Sequence, residues 1–296
     1  NGASFNNNPG GHTMNHTGDL TNNGAIGGDG SYHFNGANKN VVNNGTVTIT
    51  NFRFHAAGIK NLSGSGTLSP TALQINNTAT VALASDVSIG AGSFTVDSSG
   101  SGLLDLNGFT ATLSGVTFFV NNNGDVVGGT VRMQNTNSFS VSSSGSFTAA
   151  LNINTGTTTF TNSTVQGAIT VDAGAAFNNN PGGHAMNHTG TLTNDGTIGG
   201  DGTYSFNGNT TACINNGTVS ISMFRFHASG NKDLSGSGTW TGSNLQINNA
   251  ANVRLTSDVT VAATNFTIDA SGGGTLNLNG FTLTLNGVNF TNGALG

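Results

Sequence analysis

Glutamate is missing from this chain, and all twelve acidic residues are Asp. Lys and Arg together number seven, so charged residues make up 6% of the sequence, against about 25% in an ordinary soluble domain. A net charge of −5 spread over 296 residues argues against nucleic acid or an anionic membrane surface as a partner. Cys213 is the only cysteine, which excludes an intramolecular disulfide. No apolar run approaches the roughly 18 residues of a membrane-spanning helix, so membrane insertion is not expected. No helical period survives three turns. There is no starting Met and no signal peptide, and the chain reads as a mature or excised piece of something longer. The scarcity of Lys and Glu argues against an ordinary cytosolic enzyme and suits an extracellular location.

What fills the space is Asn, Gly, Thr and Ser, and the chain repeats itself. Phe5-Asn6-Asn7-Asn8-Pro9-Gly10-Gly11-His12 returns as Phe177-Asn178-Asn179-Asn180-Pro181-Gly182-Gly183-His184, an offset of 172 residues. The register holds without a gap from Phe5/Phe177 to Phe118/Phe290. Long self-similarity of this kind points to a solenoid or array. The organisation read from it is a first long repeat over 1–172 and a truncated second copy over 173–296, in one continuous solenoid. Cys213 falls opposite Val41 in this alignment, which reads it as a small buried hydrophobe.

A finer period lies inside the long one. Leu20, Val41, Leu62, Leu83 and Leu104 stand 21 apart, as do Ile26, Val47, Leu68 and Ile89. A polar corner column runs beside them: Asn23, Asn44, Ser65, Asp86 and Asn107, then Asp195, Asn216, Ser237, Asp258 and Asn279 in the second copy. Phe52, Leu73 and Phe94 form a third file, with Phe54, Ile75 and Val96 two residues on. Segments such as Thr46-Val47-Thr48-Ile49-Thr50 alternate apolar and polar like short strands with one buried face. Asn-Gly, Ser-Asp and Ser-Gly between them permit sharp corners. The fold expected is an all-β, right-handed parallel β-helix of about 14 coils, about 21–22 residues each, with about eight coils per long repeat. In such a fold each coil stacks about 4.8 Å above the last, so like side chains lie over like and stacked charges would repel.

Few residues invite a chemical reading. His12 and His16, with His184 and His188, sit four apart in Gly-Gly-His-x-Met-Asn-His. A helix would bring two ligands at that spacing together, but none is indicated; on a strand they would share a face about 13 Å apart, so this segment reads as a loop tied to the solenoid by its polar side chains. Neither a metal nor any other cofactor is expected. Asp29 and Asp201 sit in Gly-Gly-Asp-Gly as turn aspartates. Asp97 and Asp269 precede Ser- and Gly-rich turns, and Arg53 and Arg225 alternate with Phe on an outward face. Carbohydrate-cleaving β-helices cluster carboxylates with Arg or Lys, and no such cluster is visible, so no catalytic residue is expected. Thr46 and Thr48 continue into Thr67 and Ser69, then Ser88 and Gly90, a partial ladder of the kind a regular ice-binding face would use.

Coils such as Val42-Asn43-Asn44-Gly45-Thr46-Val47-Thr48-Ile49 and Leu104-Asp105-Leu106-Asn107-Gly108-Phe109-Thr110 resemble the repetitive stalks of filamentous-haemagglutinin-like and autotransporter-type adhesins. The resemblance covers nearly the whole chain. It implies export and a cell-surface or extracellular location. The reading that follows is a structural rod and not an enzyme, with cell-surface glycans as a candidate partner. Neither end carries a charged, helical or Pro-rich cap, so head-to-tail stacking on identical subunits or further repeats is expected. An ice-binding solenoid and a carbohydrate-binding or polysaccharide-degrading β-helix are the alternatives.

Overall fold

A computed structural model describes residues 3–7, 10–97, 99–179, 182–268 and 272–293. Pro9, Pro181, Asp269 and the outermost residues of both ends lie outside the described residues. Every regular element among those described is a strand, 42 in all, two to six residues long. The expected all-β solenoid is therefore the fold. The chain forms two compact units, divided at Ala150/Leu151 and not at the sequence repeat boundary.

In the first unit every third strand joins the same parallel sheet. One sheet runs Ser4–Asn7, Ala25–Gly28, Thr46–Val47, Thr67–Leu68, Val87–Ile89, Thr110–Ser114, Thr130–Gln134. The second begins at Thr13–His16 and the third at Leu20–Asn22, so three strands close one coil and the unit holds seven coils. The second unit repeats this plan with seven coils of its own, beginning with strands Ala150–Ile153, Thr157–Phe160 and Ser163–Val165.

The register shows why the sequence forms columns. Phe5 pairs with Ile26, Ile26 with Val47, Val47 with Leu68 and Leu68 with Ile89. Tyr32, Phe52, Leu73, Phe94, Phe118 and Phe139 form one unbroken inward file. Phe94 and Phe118 stack at 5.1 Å between centroids, Phe118 and Phe139 at 6.1 Å. All of these ring positions are buried, and alternate residues face solvent, as a period of two requires.

Corners are held by close backbone approach. Gly24, Gly45 and Gly66 stack at one corner, and a Cβ on Gly45 would lie 1.9 Å from the Gly24 carbonyl oxygen. Only glycine fits there, which explains the recurring Asn-Asn-Gly. Asn107, at φ 49°, turns another corner in the left-handed region that Asn tolerates.

The coil length is less uniform than 21–22. Val87 pairs with Ala111, a step of 24, and Leu151 with Ile169, a step of 18. Leu104 pairs with Val81 and not with Leu83, a step of 23, and Leu276 pairs with Val253 in the same way. This corrects two members of the corner column. Asn107 does not stack on Asp86: its amide donates to the Leu83 carbonyl, and Asp86 accepts from the Thr110 amide. Asn279 and Asp258 do the same with Leu255 and Thr282. The long repeat is also not a whole number of coils. From Ser4–Asn7 to its equivalent Ala176–Asn179 the chain advances 25 strands, one more than eight three-strand coils.

Phe118 sits fully buried, with Phe94 and Phe139 on either side of it in the file. Phe118→Ala should cost about 3–5 kcal/mol of unfolding free energy, read from urea denaturation. A loss below about 1 kcal/mol would show that the ring file contributes little.

Candidate functional site

The most distinctive site is an open coil end in the first unit, paired with a covered equivalent in the second. Phe5, Met14, His16, Leu20, Ile26 and Tyr32 line a cavity of about 490 Å³. Phe5 is 40% exposed there. One long period later Phe177, Met186, His188, Leu192, Ile198 and Tyr204 occupy the same places, and every one is at most 1% exposed. The cover is the coil Leu151–Val171. Thr158 pairs with Phe177, Ser163 with Met186, Val165 with His188 and Ile169 with Leu192. The Phe160 ring lies 4.5 Å from that of Phe177.

The other extreme behaves alike. Leu278, Phe281, Leu285 and Phe290 are exposed large side chains of the last coil. Leu106, Leu113 and Phe118, the equivalents of Leu278, Leu285 and Phe290, are fully buried, with Met133 and Phe139 paired over the last two, while Phe109, the equivalent of Phe281, is half-buried. The same apolar positions are therefore exposed or buried according to whether a coil of this chain is stacked on them.

The histidine segment needs a correction. Its second half is not a loop: Thr13–His16 and Ala185–His188 are strands, and His188 faces inward at a position that is Phe206 in the next coil. Burial pushes the His188 imidazole down to about 4. It is neutral, with Nε2–H donating to the Gly167 carbonyl at 3.0 Å and Nδ1 accepting from the Tyr204 hydroxyl at 2.8 Å. His16 keeps the Tyr32 contact at 2.8 Å, but its Nε2 meets the carbonyl of Asp19 instead. His184 remains in the turn, where its amide donates to Asn179 Oδ1 at 3.1 Å while Asn179 Nδ2 donates to the His184 carbonyl. Asp201 accepts from the Gly182 and Gly183 amides, which holds its carboxyl below the usual range. Polar side chains thus pin this turn. No group of three His, Cys or Asp that could hold a metal ion occurs among the described residues, His12, His16, His184 and His188 included.

The corner residues make two ladders where one was read. Asn44 donates to Asn23 at 3.0 Å, the Ser65 amide to Asn44, and Asn216 to Asp195 at 2.8 Å. Ser237 follows one step on, since Cys213 pairs with Leu234. A second, buried ladder stands one residue earlier: Asn22 donates to Asn43, and Asn194 to Asn215, each at 2.7 Å. Its sequence signal is an Asn one position before Asn23, Asn44, Asp195 and Asn216, at the same spacing of 21. Lys60 and Lys232 were also missed. Both point inward and are 0% exposed. Lys60 Nζ donates to the Ala56, Ala57 and Gly58 carbonyls, and Lys232 Nζ to those of Ala228 and Gly230. Burial pushes the Lys232 amine down to about 8.

The remaining candidates lie apart. Arg225 donates to Ser205 at 2.8 Å, and Asp97 is buried with its Oδ2 accepting from the Asn123 amide. Cys213 is buried between Leu192 and Leu234, which pushes its thiol up. No known protein family, no curated protein and no solved structure matches the chain.

His188 gives stability a pH dependence with a definite sign. The unfolded imidazole titrates near 6.5 and the folded one near 4, so between these values the unfolded state binds more protons. The contribution is complete above about pH 6.5 and falls by about 3 kcal/mol in total as pH drops to about 4. Unfolding free energies measured across that range should show this decline, and His188→Phe with Tyr204→Phe should flatten it. Parallel profiles for the two proteins would contradict it.

Proposed function

We propose that the chain is a structural repeat module of an extracellular bacterial surface protein or fibre, a stiff β-solenoid that extends by end-to-end stacking. The observation that carries this reading is that the described coils pair with their neighbours in parallel and in register, so that buried apolar files run from coil to coil. A parallel solenoid end also leaves strand backbone unpaired, which is a template for addition of further strands. The low charge and the recurring corner residues suit a solenoid that grows by repetition. An extracellular location fits a chain of this composition. Sedimentation velocity across a concentration series should show association rising through the micromolar range, with linear assemblies by electron microscopy. A single unchanging monomer boundary and no assemblies would count against the proposal.

A second reading, ice binding, draws on one observation. Thr197, Thr218, Thr239, Thr260 and Thr284 form an outward file with one Thr per coil. The neighbouring positions Gly199, Ser220, Thr241 and Ala262 do not repeat Thr. A two-file Thr array would be the stronger face, which is why this reading stands second. Thermal hysteresis at micromolar protein, abolished by Thr239→Leu with Thr260→Leu, is its expected signature. Ordinary ice growth removes it.

A further inference from the structure

Where the coil grows beyond 21 residues, the corner surface is no longer flat. In the first unit the register slips by two before Leu104, and the chain then turns through Asn107-Gly108-Phe109, closed by the Phe109 amide on the Leu106 carbonyl at 2.7 Å. Phe109 stands at one end of a groove of about 550 Å³ that crosses four successive coils, at Asn44, Ser65, Asp86 and Phe109. The second unit has the equivalent groove, about 480 Å³, at Asn216, Ser237 and Asp258. Asp19, Lys39 and Asp105 become Thr191, Thr211 and Asn277 in the second copy, whereas Asp86 remains as Asp258.

Part of this lining is spent on the corner itself. Ser85 Oγ accepts from the Gly64 amide at 3.1 Å and donates to the Asp86 carbonyl, and Asp86 Oδ1 accepts from the Thr110 amide at 2.8 Å. Ser257 and Asp258 do the same with Gly236 and Thr282. Asp86 Oδ2 and the hydroxyls of Ser63 and Ser65 have no hydrogen-bond partner among the described residues. Val42 and Phe109 supply apolar surface beside them. A carboxylate oxygen, two hydroxyls and an aromatic side chain in one open groove match a ligand with hydroxyls on one side and C–H groups on the other, which describes a sugar. No Lys or Arg lines either groove, so the Asp carboxylate disfavours uronate and sulfate groups. A single carboxylate falls short of a calcium site, which takes about six oxygens or more, and of glycosidic cleavage, which uses a carboxyl pair.

We propose that the groove at Ser63, Ser65, Asp86 and Phe109, and its counterpart at Ser235, Ser237 and Asp258, bind a neutral oligosaccharide without cleaving it. Sugar hydroxyls donate to Asp86 Oδ2 and exchange hydrogen bonds with Ser63 and Ser65, and one ring face packs on Phe109. The second groove has no aromatic residue in its lining and binds the same ligand more weakly. This adds a binding site to the solenoid and does not depend on end-to-end stacking.

The test is a titration of the full chain, followed by amide chemical shifts, with cellotetraose, maltotetraose, mannotetraose and, as the acidic probe, tetragalacturonate. At least one neutral tetrasaccharide at millimolar concentration should move the Gly64, Ser65 and Asp86 amides saturably. The Gly236, Ser237 and Asp258 amides should follow with about threefold weaker affinity, and tetragalacturonate should move neither set. Phe109→Ala should weaken the first site about tenfold and leave the second unchanged. Asp86→Asn, which keeps an oxygen for the Thr110 amide, should weaken the first site about fivefold, because a charged acceptor is replaced by a neutral one. The second site reports in each variant that the chain is folded. No saturable shift with any neutral saccharide, shifts confined to other surfaces, or equal binding of tetragalacturonate overturns the proposal. Unchanged affinity at the first site in both variants overturns it as well.

Discussion

Everything in this molecule depends on one constraint: each coil hydrogen-bonds its backbone, in parallel and in register, to the coil beside it. Parallel pairing at about 4.8 Å sets like over like along every file. A side chain is therefore chosen less for its own strand than for the residue one coil away. Phe over Phe, Leu over Val and Asn over Asn satisfy this rule, and charge over charge does not. A charged fraction of only 6% is in keeping with it. Lys39 does pair with Lys60, whose amine is turned inward onto loop carbonyls. Asp233 lies under Arg254, the opposite sign, at 2.8 Å. Lys60 and Lys232 turn inward only where loop carbonyls surround the amine.

The same constraint makes the ends different from the middle. A globular domain closes its core by folding around it. A coil end closes only when another coil arrives, as the contrast between Phe5 and Phe177 shows within one chain. Stability in such an array is a sum over neighbour interfaces, so terminal coils are the weakest points. The end-to-end proposal takes its physical content from this.

The fold was legible because the inward files are periodic in sequence. Ile26, Val47, Leu68 and Ile89 stand 21 apart and pair as spaced. The step from Leu83 to Leu104 was misread for an equally physical reason. Leu104 and Leu106 alternate with polar residues, so a slip of two leaves apolar over apolar and the pattern cannot tell the registers apart. A slip of one would have exposed the file and been visible. The inward polar residues were hidden by the rule that reads polar as outward. In Met186-Asn187-His188 the alternation places His188 inside, and only its partners Tyr204 and Gly167 make that placement stable. Asn22 and Asn43 were hidden behind Asn23 and Asn44, which share their period.

The central claim is that a strand in this chain owes its stability to the coil stacked on it and only weakly to its own sequence. Leu-Thr-Asn occurs at 20–22 and again at 192–194, paired on one side in the first case and on both sides in the second. Hydrogen exchange on the unmodified chain at a concentration where it is monomeric compares the two directly. The account predicts that the 192–194 amides exchange at least about a hundredfold more slowly. Equal rates at the two sites would contradict it.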